Sequence, residues 1–438
     1  MLNIKYHTLK SRFPTGSGRW PAFITAMLSM ILTLLLTTPS QAQQQQTMNL
    51  DSILLRISRN NPMLQEYDLR AKAMDAYAEG AKGLMAPMVG AGVFQTPYPG
   101  GEAMEPQDNG MLMLSAEQDI TNPAKLRARE KYMKSKAAIE TAGRDVTFNE
   151  LRAQTKAAYY NWVVLEKKMA VLKENERIMA YMLKLAKIRY PYSQGNLGSV
   201  YKAEARLHEV ENMQLMTASQ IAQQNVQLNI LMNQPQDNRF KIDTLVEVPN
   251  NILLAADTAF LGNVRSDVRQ LDRTIESMRL NTELERLERK PDFRLRFDHM
   301  LPRSNMMPKQ FTAMAMMSIP IAPWASKMYK ADTKGMNLEI AAMQKERENM
   351  LNEAQGMVHN MALELNAKRE QAENYRTKII PALQKNYDVT MLAYEQNSAE
   401  LPMVIDAWEA LDMGQMEYLN TLQDLYLMIV NYEKEIEK

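Results

Sequence analysis

Asp292-Phe293-Arg294-Leu295-Arg296-Phe297-Asp298 alternates charged and apolar side chains at every step. A period of two belongs to a β-strand that turns one face to apolar surroundings and the other to polar ones. Residues 311–319 repeat it, with Phe311, Ala313, Ala315, Met317 and Ile319 against Thr312 and Ser318. Earlier in the chain, Val89, Ala91 and Val93 together with residues 111–115 give a matching, weaker pair. Segments of about 9 to 11 residues with this alternation mark transmembrane β-strands, although a soluble hairpin resting on a core has the same pattern. The sequence around the hairpins decides between the two.

Beyond each hairpin the period changes. After Pro123 the apolar positions step by four and three through Ala158, Trp162, Leu165, Met169, Leu172, Met179, Leu183, Ala186 and Tyr190, broken only by Glu176. A sustained period of 3.5 with charged flanks means coiled-coil packing. A helix over residues 123–190 would run roughly 100 Å at about 1.5 Å per residue. After Pro323 a second stripe follows Ile340, Met343, Arg347, Met350, Ala354, Met357 and Met361. Pro191, Gly195 and Gly198 end the first long helix before another begins near Val200, and residues 397–402 do the same in the second half.

These landmarks recur in one order at a nearly constant offset of about 200 residues, which is the signature of an internal repeat. Asn61-Pro62-Met63-Leu64-Gln65 answers to Ser266-Asp267-Val268-Arg269-Gln270, and Tyr192-Ser193-Gln194-Gly195 answers to Tyr394-Glu395-Gln396-Asn397. The expected organisation is a signal peptide at 1–42, a first repeat at 43–233, a linking segment at 234–257 and a second repeat at 258–438. Each repeat reads helix, two strands, very long helix, tight turn, helix. The fold class is mainly α with a small β part.

Composition agrees. Gly is 16 of 438 residues, about 4% against a usual ~7%, which disfavours a sandwich of short strands. Cys is absent, so disulfides, thiolate metal sites and anchoring through a lipidated N-terminal Cys are excluded. Lys5, Lys10, Arg12 and Arg19 precede a mostly apolar run at 22–36, and Ser40-Gln41-Ala42 fits a cleavage site. Export of the mature chain follows, with 48 basic residues left against 51 acidic, a balance of −3. No excess of positive charge calls for nucleic acid. No later run of 18 apolar residues exists for a membrane-spanning helix.

Four strands cannot close a barrel, since the smallest membrane barrels have about eight, and lipid does not tolerate an open sheet edge. Several chains must then share one barrel. The sequence thereby resembles the TolC family of outer-membrane efflux channels over essentially the whole mature chain. The resemblance rests on Asn60-Asn61-Pro62, on the turn from Arg189-Tyr190 to Gly195 with residues 200–207 after it, and on Tyr394-Glu395-Gln396 with Val404-Ile405-Asp406-Ala407-Trp408-Glu409-Ala410-Leu411 after it. It implies a homotrimer with a 12-strand barrel in outer-membrane lipid and a coiled-coil α-barrel of helical hairpins crossing the periplasm. It also implies a periplasmic adaptor, an inner-membrane transporter and no cofactor. No enzyme chemistry is expected, because the four His residues, one of them in the signal segment, form no cluster with Ser or Asp.

The resemblance further implies a periplasmic gate at the helix-start positions Asp406 and Met403, with Glu204 and Tyr201 as their first-repeat equivalents. Arg189, Lys202 or Arg206 would hold the closed state. The alternative is that both acids are ordinary first-turn residues favoured by a helix N-terminus. Tyr192, Gly195, Tyr394 and Asn397 mark the turns expected to contact the adaptor.

Met is abundant, at 33 of the 396 mature residues, and 11 of these lie close to the strands. By the alternation, Met111 and Met113 share a face with Ser115 and Glu117, while Met314 and Met316 share one with Thr312 and Ser318. A trimer would line its lumen with up to a dozen thioethers from these four positions, soft ligands for Cu(I) or Ag(I). Against this stands Met as an adaptable apolar filler, the reading given to Met343, Met350, Met357 and Met361. A multidrug or polypeptide channel of the same architecture, and a coiled-coil envelope spacer outside any membrane, also stay open.

Overall fold

An Asn-Pro pair opens two helices in the same way. Asn61 and Asn122 each turn a side-chain oxygen onto the N–H two residues on, at 3.0 Å, and Pro follows where no N–H is needed. The computed structural model describes residues 47–101, 109–192, 196–245, 248, 256–303 and 307–438. The signal-peptide reading at 1–42 and much of the linking segment lie outside these.

In chain order the first half comprises β1 (Thr47–Met48), α1 (Leu50–Asn60), α2 (Pro62–Gly80), β2 (Met88–Phe94), β3 (Met111–Ile120), α3 (Pro123–Arg189) and α4 (Leu197–Leu231). The second comprises β4 (Lys241–Ile242), α5 (Thr258–Val264), α6 (Ser266–Arg286), β5 (Phe293–Pro302), β6 (Gln310–Met317), α7 (Ser326–Asn374), α8 (Ile380–Glu395) and α9 (Leu401–Glu435). Helix α3 runs 67 residues without a break, about 100 Å at ~1.5 Å per residue. Its counterpart is interrupted. Between α7 and α8 a π-helical turn covers Tyr375–Ile379, where the Ile380 N–H reaches back to the Tyr375 carbonyl. Pro381 follows immediately and has no N–H to donate, so the ladder is already broken there.

The two hairpins join into one antiparallel sheet of order β2-β3-β5-β6, with β3 against β5 as the seam between repeats. A short parallel pair, β1 with β4, ties residues 47–48 to residues 241–242.

Three apolar clusters hold the helices. One gathers Ile53, Ile57, Leu64, Tyr159, Val163, Leu228 and Tyr426, with Tyr160 and Tyr426 stacked at 4.6 Å. A second packs Leu261 and Val268 against α7 and α9. The third fills the far end of the helices with Met179, Met182, Val200, Ala203, Val404, Ile405 and Trp408. In α3 the expected stripe is largely buried, including Trp162, Leu165, Leu172, Met179 and Leu183.

In α7 the covered row agrees with the expected stripe at Ala354 but lies one position later at Leu351, Val358 and Ala362. Leu351, Ala354, Val358, Ala362 and Leu365 are buried, while Met357 is 44% exposed and Met343, Met350 and Met361 are half-buried. The branched and small side chains take the seam and the flexible Met residues flank it, so the core-filler reading of the α7 Met residues does not hold for Met357.

Candidate functional site

Register sorts every strand residue onto one of two faces. Val89, Ala91, Val93, Leu112, Leu114, Ala116, Leu295, Phe297, Phe311, Ala313, Ala315 and Met317 share the apolar face, with His299 among them. It is open: Val89 is 81% exposed, Phe311 67% and Leu295 49%. The other face is layered. Nearest the helices, Asp119 pairs with Arg294 and Glu117 with Arg296 across the seam. Arg294 Nε lies 2.6 Å from Asp119 and its Nη1 3.0 Å from Glu117, while Arg296 Nε lies 3.0 Å from the buried Asp298. The next row is Gly90, Ser115, Asp298 and Thr312, and the row beyond it is Gly92, Met113, Met300 and Gln310.

Met111, Met113, Met314 and Met316 therefore do share the polar face, but on two levels. Met314 is opposite Arg296 and Met316 opposite Arg294, whereas Met113 is opposite Met300. Met300 was missed as a member of this face. Continuing the alternation two residues beyond Asp298 identifies it.

Where sheet meets helices, Lys125 is 3% exposed and binds Asp292 at 2.7 Å and Glu288 at 2.8 Å. Burial works against its charge, but the hydrogen bonds it donates to Asp292 and Glu288 and their negative charge prevail and raise its pKa. Asp292 also accepts the Asn122 N–H at 2.9 Å. The signal in the sequence is a Lys in the first turn of a helix, where the helix dipole disfavours a cation unless a partner waits.

At the opposite end lie the two helix turns. Asn196 caps α4 by accepting the Gly198 N–H at 2.8 Å, and Asn397 takes a positive φ of 59°, which Asn tolerates. Lys202 Nζ donates to Asp406 at 2.8 Å and Lys187 Nζ to Glu204 at 3.2 Å. Arg189 does not meet either acid. Its guanidinium donates to the carbonyls of Tyr394 at 2.6 Å and Glu395 at 3.0 Å and stacks 4.3 Å over the Tyr394 ring. Arg206 goes instead to Glu409 at 2.7 Å and Glu209 at 2.5 Å.

Tyr192, Tyr201 and Met403 are exposed, at 74%, 60% and 58%. Tyr394, expected at a partner-contact turn, is buried at 4%: the ring packs beneath Arg189, and burial raises its pKa against the pull of that cation. Gly195 lies outside the described residues. A cavity of about 820 Å³ opens between the two turns, bordered by Arg189, Asn196, Asn397, Glu400 and Met403.

Above the turns a polar chain crosses the apolar core. The Trp408 indole N–H donates to Asn175 Oδ1 at 3.1 Å, and Asn175 Nδ2 donates to Asp412 at 2.6 Å. Burial raises the Asp412 pKa. A buried Asn within a coiled-coil seam fixes register at some cost in stability. Asn175, seven residues before the buried Met182, carried that signal in the sequence.

No protein-family model matches the sequence, and no curated protein matches it. Solved structures do. The outer-membrane channel OprN superposes with a TM-score of 0.70 at 14% identity, covering 88% of this chain and 89% of its own. The CmeC outer membrane channel of Campylobacter jejuni gives 0.68 at 13%, covering 88% and 85%. The outer membrane protein VceC of Vibrio cholerae gives 0.66 at 16%, covering 88% and 95%. With nearly the whole length shared at such low identity, this chain has the fold of the outer-membrane channels.

Proposed function

We propose that the chain is the outer-membrane channel of a tripartite efflux system, a passive conduit and not an enzyme. Three copies close their sheets into a 12-strand barrel in outer-membrane lipid, and their helical hairpins form a tunnel reaching into the periplasm. Substrates enter from an inner-membrane transporter through a periplasmic adaptor that meets the helix turns near Tyr192, Gly195 and Asn397. The observation that carries this reading is the sheet itself. Its apolar face is exposed along all four strands, and the outer edges of β2 and β6 have no partner strand within the described residues. Lipid supports neither an open edge nor an unpaired backbone, so closure by further copies removes both problems. A periplasmic spacer has no need of such a face.

The turns form the gate. Asp406 and Glu204, each held by a Lys on a neighbouring helix, would converge near the threefold axis, where like charges repel and favour opening once an adaptor supplies compensating contacts. For cargo, the thioethers of the polar face favour Cu(I) or Ag(I) over hydrophobic drugs.

Fractionation with a paired substitution tests the channel. Phe297→Arg places a cation on the lipid face midway along β5, at about 2–4 kcal/mol near the membrane midplane, whereas Thr312→Arg places it on the polar face at the same level. The expected result is a heat-modifiable trimer in outer membranes for the wild type and Thr312→Arg, and its loss for Phe297→Arg. Recovery of the wild type as a soluble periplasmic monomer refutes the reading.

A further inference from the structure

Met113 and Met300 are direct antiparallel partners across the repeat seam, and Met111 lies two residues along β3 on the same face. Directly opposed residues have Cβ atoms about 4.5–5.5 Å apart, and diagonal ones about 7–8 Å. Each Met adds three rotatable bonds and a polarizable sulfur. Three thioethers can therefore reach one point on that face.

The surroundings of this point differ from those of the other Met residues. Gly92 flanks Met113 and adds no side chain, and Gln310 flanks Met300. Arg296 is four residues from Met300 along the strand, about 13 Å at ~3.3 Å per residue. Met314 and Met316 instead stand directly opposite Arg296 and Arg294, whose charge repels a cation. Met111 is 4% exposed, while Met113 and Met300 are half-buried, so one ligand is fixed by packing and two stay accessible. No group of three or more His, Cys, Asp or Glu able to hold a metal occurs among the described residues.

We propose that Met111, Met113 and Met300 form a three-thioether site for one monovalent soft cation, Cu(I) or Ag(I), per chain. Soft sulfur donors select such ions over hard Na⁺, Mg²⁺ or Ca²⁺. Neutral ligands hold the ion without cancelling its charge, which suits a station that an ion must also leave. The transport role of the site rests on the channel reading above; its existence does not.

The test uses the full chain purified from membranes, with ¹³C-labelled Met methyl groups, titrated with silver nitrate in chloride-free buffer. The expected result is a shift of the Met111, Met113 and Met300 methyl signals that saturates at one Ag(I) per chain, with Met314 and Met316 unmoved and no response to Na⁺. The volume-conserving double variant Met113→Leu/Met300→Leu should melt as the wild type does and bind Ag(I) at least about tenfold more weakly, the lower end of what loss of a metal-site partner costs. Equal shifts across all Met signals, or unchanged affinity in the double variant, overturn the site. Should the double variant fail to fold, the single variant Met300→Leu with loss of the Met113 shift carries the same decision. Failure of the channel reading shows separately, as absence of wild-type conductance in planar bilayers.

Discussion

Arg189, and not Asp406, should be the stronger latch of the proposed gate. The Lys202–Asp406 pair is well formed at 2.8 Å, but its side chains are 39% and 67% exposed. Pairs of that kind contribute about 0.2–1 kcal/mol. Arg189 donates to two carbonyls on the other hairpin and stacks on a buried ring. Two charge-assisted hydrogen bonds at about 1.5–3 kcal/mol each, with a cation–π contact of about 0.5–1, are offset by about 2 kcal/mol of ordering entropy and by rehydration of the carbonyls. About 3 kcal/mol per chain remains, roughly two orders of magnitude in a closed-to-open ratio at about 1.4 kcal/mol per decade. In planar bilayers Arg189→Ala should raise open probability far more than Asp406→Ala. Arg189→Lys should fall between them, since Lys keeps the charge but not the fork that spans both carbonyls. If Asp406→Ala opens the channel as readily as Arg189→Ala, the ranking by burial and hydrogen bonding is wrong.

Two further substitutions test the energetics away from the latch. Lys125→Met keeps the buried stem but abandons Asp292 and Glu288; because both carboxylates are 41% exposed and regain water, the expected loss is about 2 kcal/mol. Denaturant midpoints should report it, and a change under about 0.5 kcal/mol contradicts the reading. Asp412 has a folded pKa above its ordinary 3.8, so its contribution to stability is complete below that value and is lost as pH rises through the folded pKa. Asp412→Asn should therefore gain more in melting temperature at pH 7 than at pH 4, and an equal gain at both would show that Asp412 does not titrate differently on folding.

Much of the fold was legible because two periods dominate it. Residues 123–190 read as one helix, and α3 ends one residue short of that; residues 292–298 read as a strand and lie within or beside β5. The α7 seam was misread because Met, Ala and Leu all fit an apolar heptad, and only packing against α6 and α9 shows which row is covered. Tyr394 was placed at a surface by its turn sequence, yet an aromatic beside a turn also serves as a lid for the end of the core, and Arg189 makes it one. The Lys125 node and the Asn175 chain depend on partners some 160 and 230 residues away. No local pattern carries such pairings. What the sequence did carry was the anomaly itself, a cation at a helix start and an amide in an apolar seam.

The two halves share an element order but not a mechanical design, and the difference bears on how the turns could separate. Helix α3 is continuous to Arg189, whereas the α7–α8 rod changes to a π turn at Tyr375–Ile379 just before Pro381. A π turn and a following Pro leave the hydrogen-bond ladder weakest there, so bending costs least at that level. The polar links between the hairpins, Arg189 to residues 394–395 and Lys202 to Asp406, lie beyond the π turn toward the tip. So does the apolar cluster joining Met179, Met182 and Val200 to Val404, Ile405 and Trp408. Pulling the hairpins apart would expose that cluster, at about 1.5–3 kcal/mol for each large side chain, which far exceeds the polar links. On the proposed gate reading, opening would therefore pivot α8 and the start of α9 about the π turn while sliding on the shared apolar core. In that motion the guanidinium of Arg189 and the ammonium of Lys202 would set the angle, and the core would set the distance.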